Sequence, residues 1–231
     1  HFESECPACD RRDFKFSFTK DFFNFSECNV CSHTFVNPRL NEKGLNYFYN
    51  EGAYTKLYNI SKFFEMSEES AEGARKDSAH LLGLAAEILG QVSGKRLLEV
   101  GPGGKGILLE EALRLELIVS CVEIDQACCG HLQDLFGDTV QIHNSHVKDL
   151  YPEYAESFDI IVMRDVLEHI PAPIDFLKIC QKLLKPGGVL VTRMPNQGGL
   201  VYKIAGPRHV CVFGFEHISY WTEHSMRAAL H

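Results

Sequence analysis

Four cysteines carry the sharpest chemistry in this sequence. Cys6 and Cys9 sit in C-P-A-C and Cys28 and Cys31 in C-N-V-C, with eighteen residues between the pairs. Two such turns at hairpin ends can deliver four thiolates to one tetrahedral Zn²⁺, and a segment this short needs the ion's binding energy to fold. A redox dithiol, the other reading, would need only one pair. His33 is expected on the surface, with replacement of one cysteine ligand as the alternative. The second cluster is the glycine turn LLEVGPGGKG, with Gly101, Gly103 and Gly106 between an apolar strand and a helix. Glycines there let the backbone turn sharply and approach a ligand, and the helix start offers unpaired N–H groups. The G-x-G-x-x-G spacing is also that of dinucleotide sites, so a nicotinamide ligand is one reading. Glu123 follows Gly106 by seventeen residues, at the end of the next strand, where a carboxylate can accept both hydroxyls of a ribose. Glu99, two residues before Gly101, can tether the loop or face a cationic group through water.

Histidines form the third group. His169, in VLEHI, follows the fourth expected strand, and an imidazole of near-neutral pKa suits proton removal. Glu168 beside it can orient that ring, bind a hydroxyl or simply face solvent. The segment FEHISYWTEHSM sets Glu216 and His217 just ahead of a helix with Thr222 as its N-cap and Ser225 one turn on.

The elements that must position these groups follow from hydrophobic patterning. Residues 1–40 alternate Phe with polar residues, as hairpin strands with one buried face do, and form a small zinc-binding module. Residues 41–90 are a tyrosine-rich helical connector, ending in an amphipathic helix from about Ala71 to Leu89 that stops at Gly90. Residues 91–231 alternate apolar strands (95–100, 117–124, 139–143, 158–163, 187–194) with helices. That order predicts a doubly wound, mostly parallel α/β sheet with right-handed crossovers.

Composition narrows the function. The 231 residues carry a formal net charge of −8, which opposes nucleic acid as the main partner and leaves a small molecule as the default. No apolar run reaches the ~18 residues of a membrane span, and the first residues show no export signal. Nine cysteines, an odd number with two tight pairs, fit a metal site in a reducing, cytoplasmic compartment better than a disulfide framework.

Four segments together resemble the class I S-adenosylmethionine (SAM) dependent methyltransferases. LLEVGPGGKG is similar to their first motif, CVEID to their second-strand acidic motif, FDIIVMRDVLEHI to the fourth-strand motif, and LLKPGGVLV to the turn into the fifth strand. The resemblance implies a Rossmann-like sheet ordered 3-2-1-4-5, with SAM, and S-adenosylhomocysteine after transfer, across the carboxyl ends of strands 1, 2 and 4. It places the glycine loop and Glu99 toward the aminoacyl portion, Glu123 at the ribose and Ile124 at the adenine. His146 and Val147 would flank the adenine, because Ser145 stands where many relatives have Asp. Arg164, inside the fourth-strand motif, belongs to the cofactor side. The fold normally adds two further strands, whereas this sequence stops at His231, inside the helix expected after strand 5.

The segment CNVCSHTFVNPRLNEKGLNYFYNEGAY is similar to bacterial zinc-ribbon methyltransferases of sugars, sugar nucleotides and other secondary metabolites. That likeness implies a small polar acceptor, with Glu216 and His217 around it, Phe215 standing where the family has tyrosine, and Tyr54 and Tyr58 closing over the methionine end of SAM. The rival readings are an RNA methyltransferase guided by its zinc module, disfavoured by charge and by the fourth-strand motif, and a SAM-binding scaffold without turnover. A monomer or homodimer is expected.

Overall fold

The computed structural model describes residues 1–50 and 64–231. Tyr54 and Tyr58 lie outside the described residues. Strands β1 (Phe14–Lys20), β2 (Phe23–Cys28) and β3 (Thr34–Val36) are followed by helices α1 (Glu42–Asn50) and α2 (Glu68–Leu89). Alternation then sets in: β4 (Arg96–Val100), α3 (Ile107–Arg114), β5 (Ile118–Glu123), α4 (Gln126–Phe136), β6 (Gln141–Asn144), β7 (Phe158–Arg164), α5 (Pro173–Leu183) and β8 (Leu184–Arg193). The last elements are α6 (Leu200–Ala205), β9 (Ser219–Tyr220) and α7 (Glu223–Ala229). Two units divide the chain: residues 43–164 with 179–192, and residues 1–42 with 165–178 and 193–231.

In the first unit the sheet runs β6-β5-β4-β7-β8, the expected 3-2-1-4-5 order, and the pairings of β4 with β5 and β7 and of β5 with β6 are parallel. A parallel sheet is covered on both faces, so its strands read as unbroken apolar runs. Leu97, Leu98, Ile160, Ile161 and Val162 are accordingly fully buried. Leu81, Leu82 and Ala85 of α2 and Leu108, Leu109 and Ala112 of α3 join Leu97, Ile160 and Val162 in one core. Each fully buried Leu or Ile there contributes roughly 1.5–3 kcal/mol.

The helix ends explain themselves chemically. Ser67 caps α2 by accepting from the Ser70 N–H, Glu68 and Glu69 favour its positive end, and Gly90 closes it at φ 73°. Asp125 caps α4 by accepting from the amides of Ala127 and Cys128. The third parallel strand begins at Gln141 rather than Thr139, because Gly137–Thr139 forms a 3₁₀ turn in which the Thr139 hydroxyl donates to the Phe136 carbonyl. The fifth starts earlier than expected, at Leu184, and takes in the Lys-Pro-Gly-Gly turn.

The second unit holds an antiparallel sheet ordered β1-β2-β3-β9. The β1–β2 turn is made by Asp21 and Phe22, both at positive φ, as a tight hairpin connection requires. Phe25, Val36, Val212, Ile218 and Tyr220 form its core, and Phe18 stacks on Phe25 with centroids 4.4 Å apart. β9 was not foreseen from the sequence; it pairs Thr34 with Tyr220 and Phe35 with Ser219.

Candidate active site

In the parallel-sheet unit, β4 and β5 end side by side, with Val100 paired to Val122. Gly101, Gly103 and Gly106 then take φ values of 67°, 61° and 62°. Glu123 organises the turn: its carboxylate accepts from the Gly103 N–H at 3.0 Å and from the Asp125 N–H at 2.9 Å. Burial raises its pKa, while the amides of Asp125, Gly103 and Ile124 oppose the shift. Among the described residues, a side chain on Gly103 would meet nothing within 4 Å, which leaves room for a ligand against this backbone.

Gly106 differs, because a Cβ there would lie 2.4 Å from the Phe136 ring. Gly106→Ala should therefore cost about 2–5 kcal/mol in urea unfolding, combining left-handed strain with overpacking. Gly103→Ala should cost only the strain, about 1–2 kcal/mol. Equal losses in the two variants would refute the packing argument.

Glu99 is 2% exposed, and its Oε2 has no hydrogen-bond partner among the described residues. Burial pushes its pKa up to about 7, against the Arg164 guanidinium and with some help from Glu123. Arg164, at the end of β7, donates to the Ser78 hydroxyl at 3.3 Å and pairs with Asp77 at 3.5 Å. Ile124 is half-buried, its carbonyl accepting from the Asn144 side chain at 3.1 Å. His146 is exposed and caps the turn Val147–Leu150, with Val147 buried. Phe64, which the sequence did not single out, stacks on His131 at 4.2 Å and stands where a Cβ on Gly104 would clash at 2.0 Å. An orphaned buried carboxylate, a ribose-type carboxylate and an open glycine backbone fit a nucleoside carrying a cationic aminoacyl group.

In the antiparallel-sheet unit the four cysteines converge. Cys6 Sγ lies 3.6 Å from Cys31 Sγ and Cys9 Sγ 3.7 Å from Cys28 Sγ, and all four sulfurs lie within 4.8 Å of one another. A tetrahedron with Zn–S bonds of about 2.3 Å has edges of about 3.8 Å. The two turns match: Asp10 N–H donates to the Cys6 carbonyl and Ser32 N–H to the Cys28 carbonyl, with Asp10 and Ser32 both left-handed. The Cys6 thiol, hydrogen-bonded to Cys31, is pushed up, and Cys31 is correspondingly lowered to about 5. The donor set and its spacing fit a zinc ion. His33 is a correction: it is neither on the surface nor among the sulfurs. It is fully buried, 4.4 Å from the Trp221 ring and bonded to Ser219, because the β3–β9 pairing covers it.

The same unit brings Glu168, His169, Glu216 and His217 together. His169 Nδ1 pairs with the Glu216 carbonyl at 2.9 Å, His217 Nδ1 with the Cys211 carbonyl at 3.0 Å, and the rings lie 4.8 Å apart, edge to face. Backbone holds the turn as well, through Ile218 N–H donating to the Glu168 carbonyl at 3.0 Å. Solvent exposure of Glu168 is ruled out: it is 1% exposed, and neither carboxylate oxygen has a hydrogen-bond partner among the described residues. Burial, then Asp165, raises it to about 8. Nor does His169 titrate near neutrality, since burial and the neighbouring His217 lower it to about 3; His217 is lowered too, chiefly by burial. Thr222 caps α7 as expected, its hydroxyl accepting from Ser225 N–H at 3.0 Å.

A cavity of about 430 Å³ in this unit is lined by Asp165, Arg193, Asn196, Gln197, Tyr202 and Cys211 among others. Gln197 donates to the Tyr202 hydroxyl at 2.9 Å and to Thr34 at 2.8 Å. No sequence signal marked Arg193, the last residue of β8, Gln197 in the connection after it, or Tyr202 in α6. No described helix is long and apolar enough to cross a membrane.

Comparison with known proteins gives consistent results. A family model described as a methyltransferase domain matches residues 71–231. The ubiquinone biosynthesis O-methyltransferase of Acinetobacter baumannii (strain AYE) is 31% identical over 130 residues, covering 54% of this chain and 54% of that protein. The chain thus spans about half the length of the curated relatives it matches. A Bacillus halodurans protein assigned as a methyltransferase shares the fold at TM-score 0.53 and 18% identity, over 67% of each chain. A Galdieria sulphuraria protein assigned as a sarcosine dimethylglycine methyltransferase does so at 0.51 and 16%, over 64% of this chain and 60% of that one.

Proposed function

Because the chain belongs to the methyltransferase domain family, we propose that it transfers a methyl group from SAM to a small polar metabolite. One observation carries the reading: Glu123, ending β5, faces the same turn as the open backbone of Gly103 and holds it through the Gly103 N–H. SAM supplies a methyl group on a sulfonium. Glu123 accepts from the ribose hydroxyls on the carboxylate lone pairs that the Gly103 and Asp125 amides do not use, while Ile124, His146 and Val147 flank the adenine. Gly101, Gly103 and Gly106 shape the loop, and Glu99, balanced by Arg164, faces the cationic aminoacyl end.

The acceptor side rests on the second unit. The cavity walls combine a guanidinium, two amides and a phenol, donors and acceptors that suit a hydroxyl-rich ligand such as a sugar or nucleotide-linked sugar. The relatives' name, an O-methyltransferase, supports an oxygen acceptor. His169, Glu216 and His217 are the acceptor-side residues. Their carbonyl-anchored imidazoles each carry the ring lone pair on Nε2, the atom through which they would position an acceptor hydroxyl. The four cysteines carry a structural zinc ion.

Calorimetric titration of the zinc-replete protein with SAM and S-adenosylhomocysteine tests the assignment, and the absence of saturable binding to the folded protein would sink it. Glu99 adds a pH signature. Its proton, retained in the folded state up to about pH 7, leaves the unfolded chain near the ordinary value of 4.5. Stability is therefore full below that ordinary value and falls as pH rises to about 7, by up to roughly 3 kcal/mol. Glu99→Gln should flatten that decline in thermal unfolding between pH 5 and 8. In the wild type, SAM affinity should rise over the same window, as the cationic aminoacyl end draws the proton off.

A further inference from the structure

We propose that Glu168, His169 and His217 hold a divalent metal ion, at a site separate from the four cysteines and with nitrogen and oxygen donors instead of sulfur. One donor atom from each of the three residues lies within 4.8 Å of the others. An ion bonded at about 2.0–2.2 Å needs donors roughly 3–3.5 Å apart, so the three donors must draw together as it binds.

Two further observations point to a ligand. Both imidazoles use Nδ1 on a backbone carbonyl, His169 on Glu216 and His217 on Cys211. That arrangement fixes the tautomer with the ring lone pair on Nε2, as the outer hydrogen bonds of metal-bound histidines do. Glu168 is 1% exposed with both carboxylate oxygens lacking a partner among the described residues. A buried carboxylate without partners is costly, and a cation is the partner that removes the cost.

Two imidazoles and a carboxylate suit Zn²⁺, Mn²⁺, Co²⁺ or Ni²⁺ better than Ca²⁺, and three protein ligands leave positions open. Resting on the methyltransferase reading above, those positions would take an oxygen of the acceptor. Cys211, whose carbonyl anchors His217, also lines the cavity with Asp165.

The test uses full-length, zinc-replete protein, so that the thiolates stay filled, titrated with Co²⁺ and read by visible d–d absorption. One added equivalent, without a thiolate charge-transfer band, is expected. Glu168→Gln and His217→Gln should each weaken binding at least tenfold, with the cysteine-bound zinc retained and folding checked by thermal unfolding. No second equivalent, or undiminished binding in a folded Glu168→Gln variant, overturns the site and leaves Glu168 a protonated buried carboxyl. The same samples are titrated with SAM. SAM binding without Co²⁺ binding defeats the metal site alone, whereas Co²⁺ binding without SAM binding defeats the methyltransferase reading alone.

Discussion

Glu123→Ala should lower SAM affinity at least ~100-fold while the protein stays folded. A hydrogen bond to a charged group contributes about 1.5–3 kcal/mol. A ribose diol on this carboxylate makes two, and about 2.8 kcal/mol is already a hundredfold. The substitution has a second effect, since the carboxylate also accepts from the amides of Gly103 and Asp125 and so holds the loop that the ligand must meet. Glu123→Gln separates the two contributions: it keeps the shape and one acceptor oxygen but turns an N–H donor toward those amides. Calorimetry should rank the affinities wild type, then Gln, then Ala. An alanine variant binding SAM as tightly as wild type would remove Glu123 from the site.

Stripping the cysteine-bound metal should unfold the antiparallel sheet. Structural zinc in small four-ligand modules supplies about 10–16 kcal/mol of folding free energy, more than a short hairpin and its Phe25-centred core can replace. The molecule carries its own reporter, since Trp221 is the one tryptophan in the sequence, is 2% exposed, and lies 4.4 Å from the ring of His33, two residues beyond Cys31. Adding a strong chelator, or replacing Cys28 with Ser, should shift its emission to the red and reduce near-ultraviolet dichroism. An unchanged spectrum after verified zinc removal would mean that the thiols do not organise this sheet.

The parts of the molecule that the sequence announces are those governed by local rules. Strand order could be stated in advance because four motifs occur in sequence along the chain. Gly90 ends α2 and α4 starts at Gln126, both as expected, whereas α2 begins at Glu68, earlier than the expected Ala71, because Ser67 caps it. That Cys6, Cys9, Cys28 and Cys31 would converge was legible from spacing alone. What was hidden depends on partners distant in sequence. β9 is two residues long and has no periodicity to detect, so neither its pairing with β3 nor the burial of His33 beneath it could be read. Glu168 was open to orienting His169, binding a hydroxyl or facing solvent, and it is buried in a turn where Ile218 bonds to its carbonyl. Phe64 meets the glycine loop through tertiary packing that no motif encodes.

The same β3–β9 pairing sets a timetable for synthesis. Thr34 and Tyr220 are separated by 220 − 34 = 186 residues. At about 5–20 residues per second, the ribosome delivers the fourth strand roughly 10–40 s after the third. Over that interval the cysteine-bearing hairpin of the nascent chain holds the outer edge of β3 unpaired, and an open edge is a template for another chain. Closing so long a loop adds about 4–5 kcal/mol of entropic cost to be met before the pairing is rewarded. A sheet begun early in synthesis is thus among the last parts of the chain to be completed.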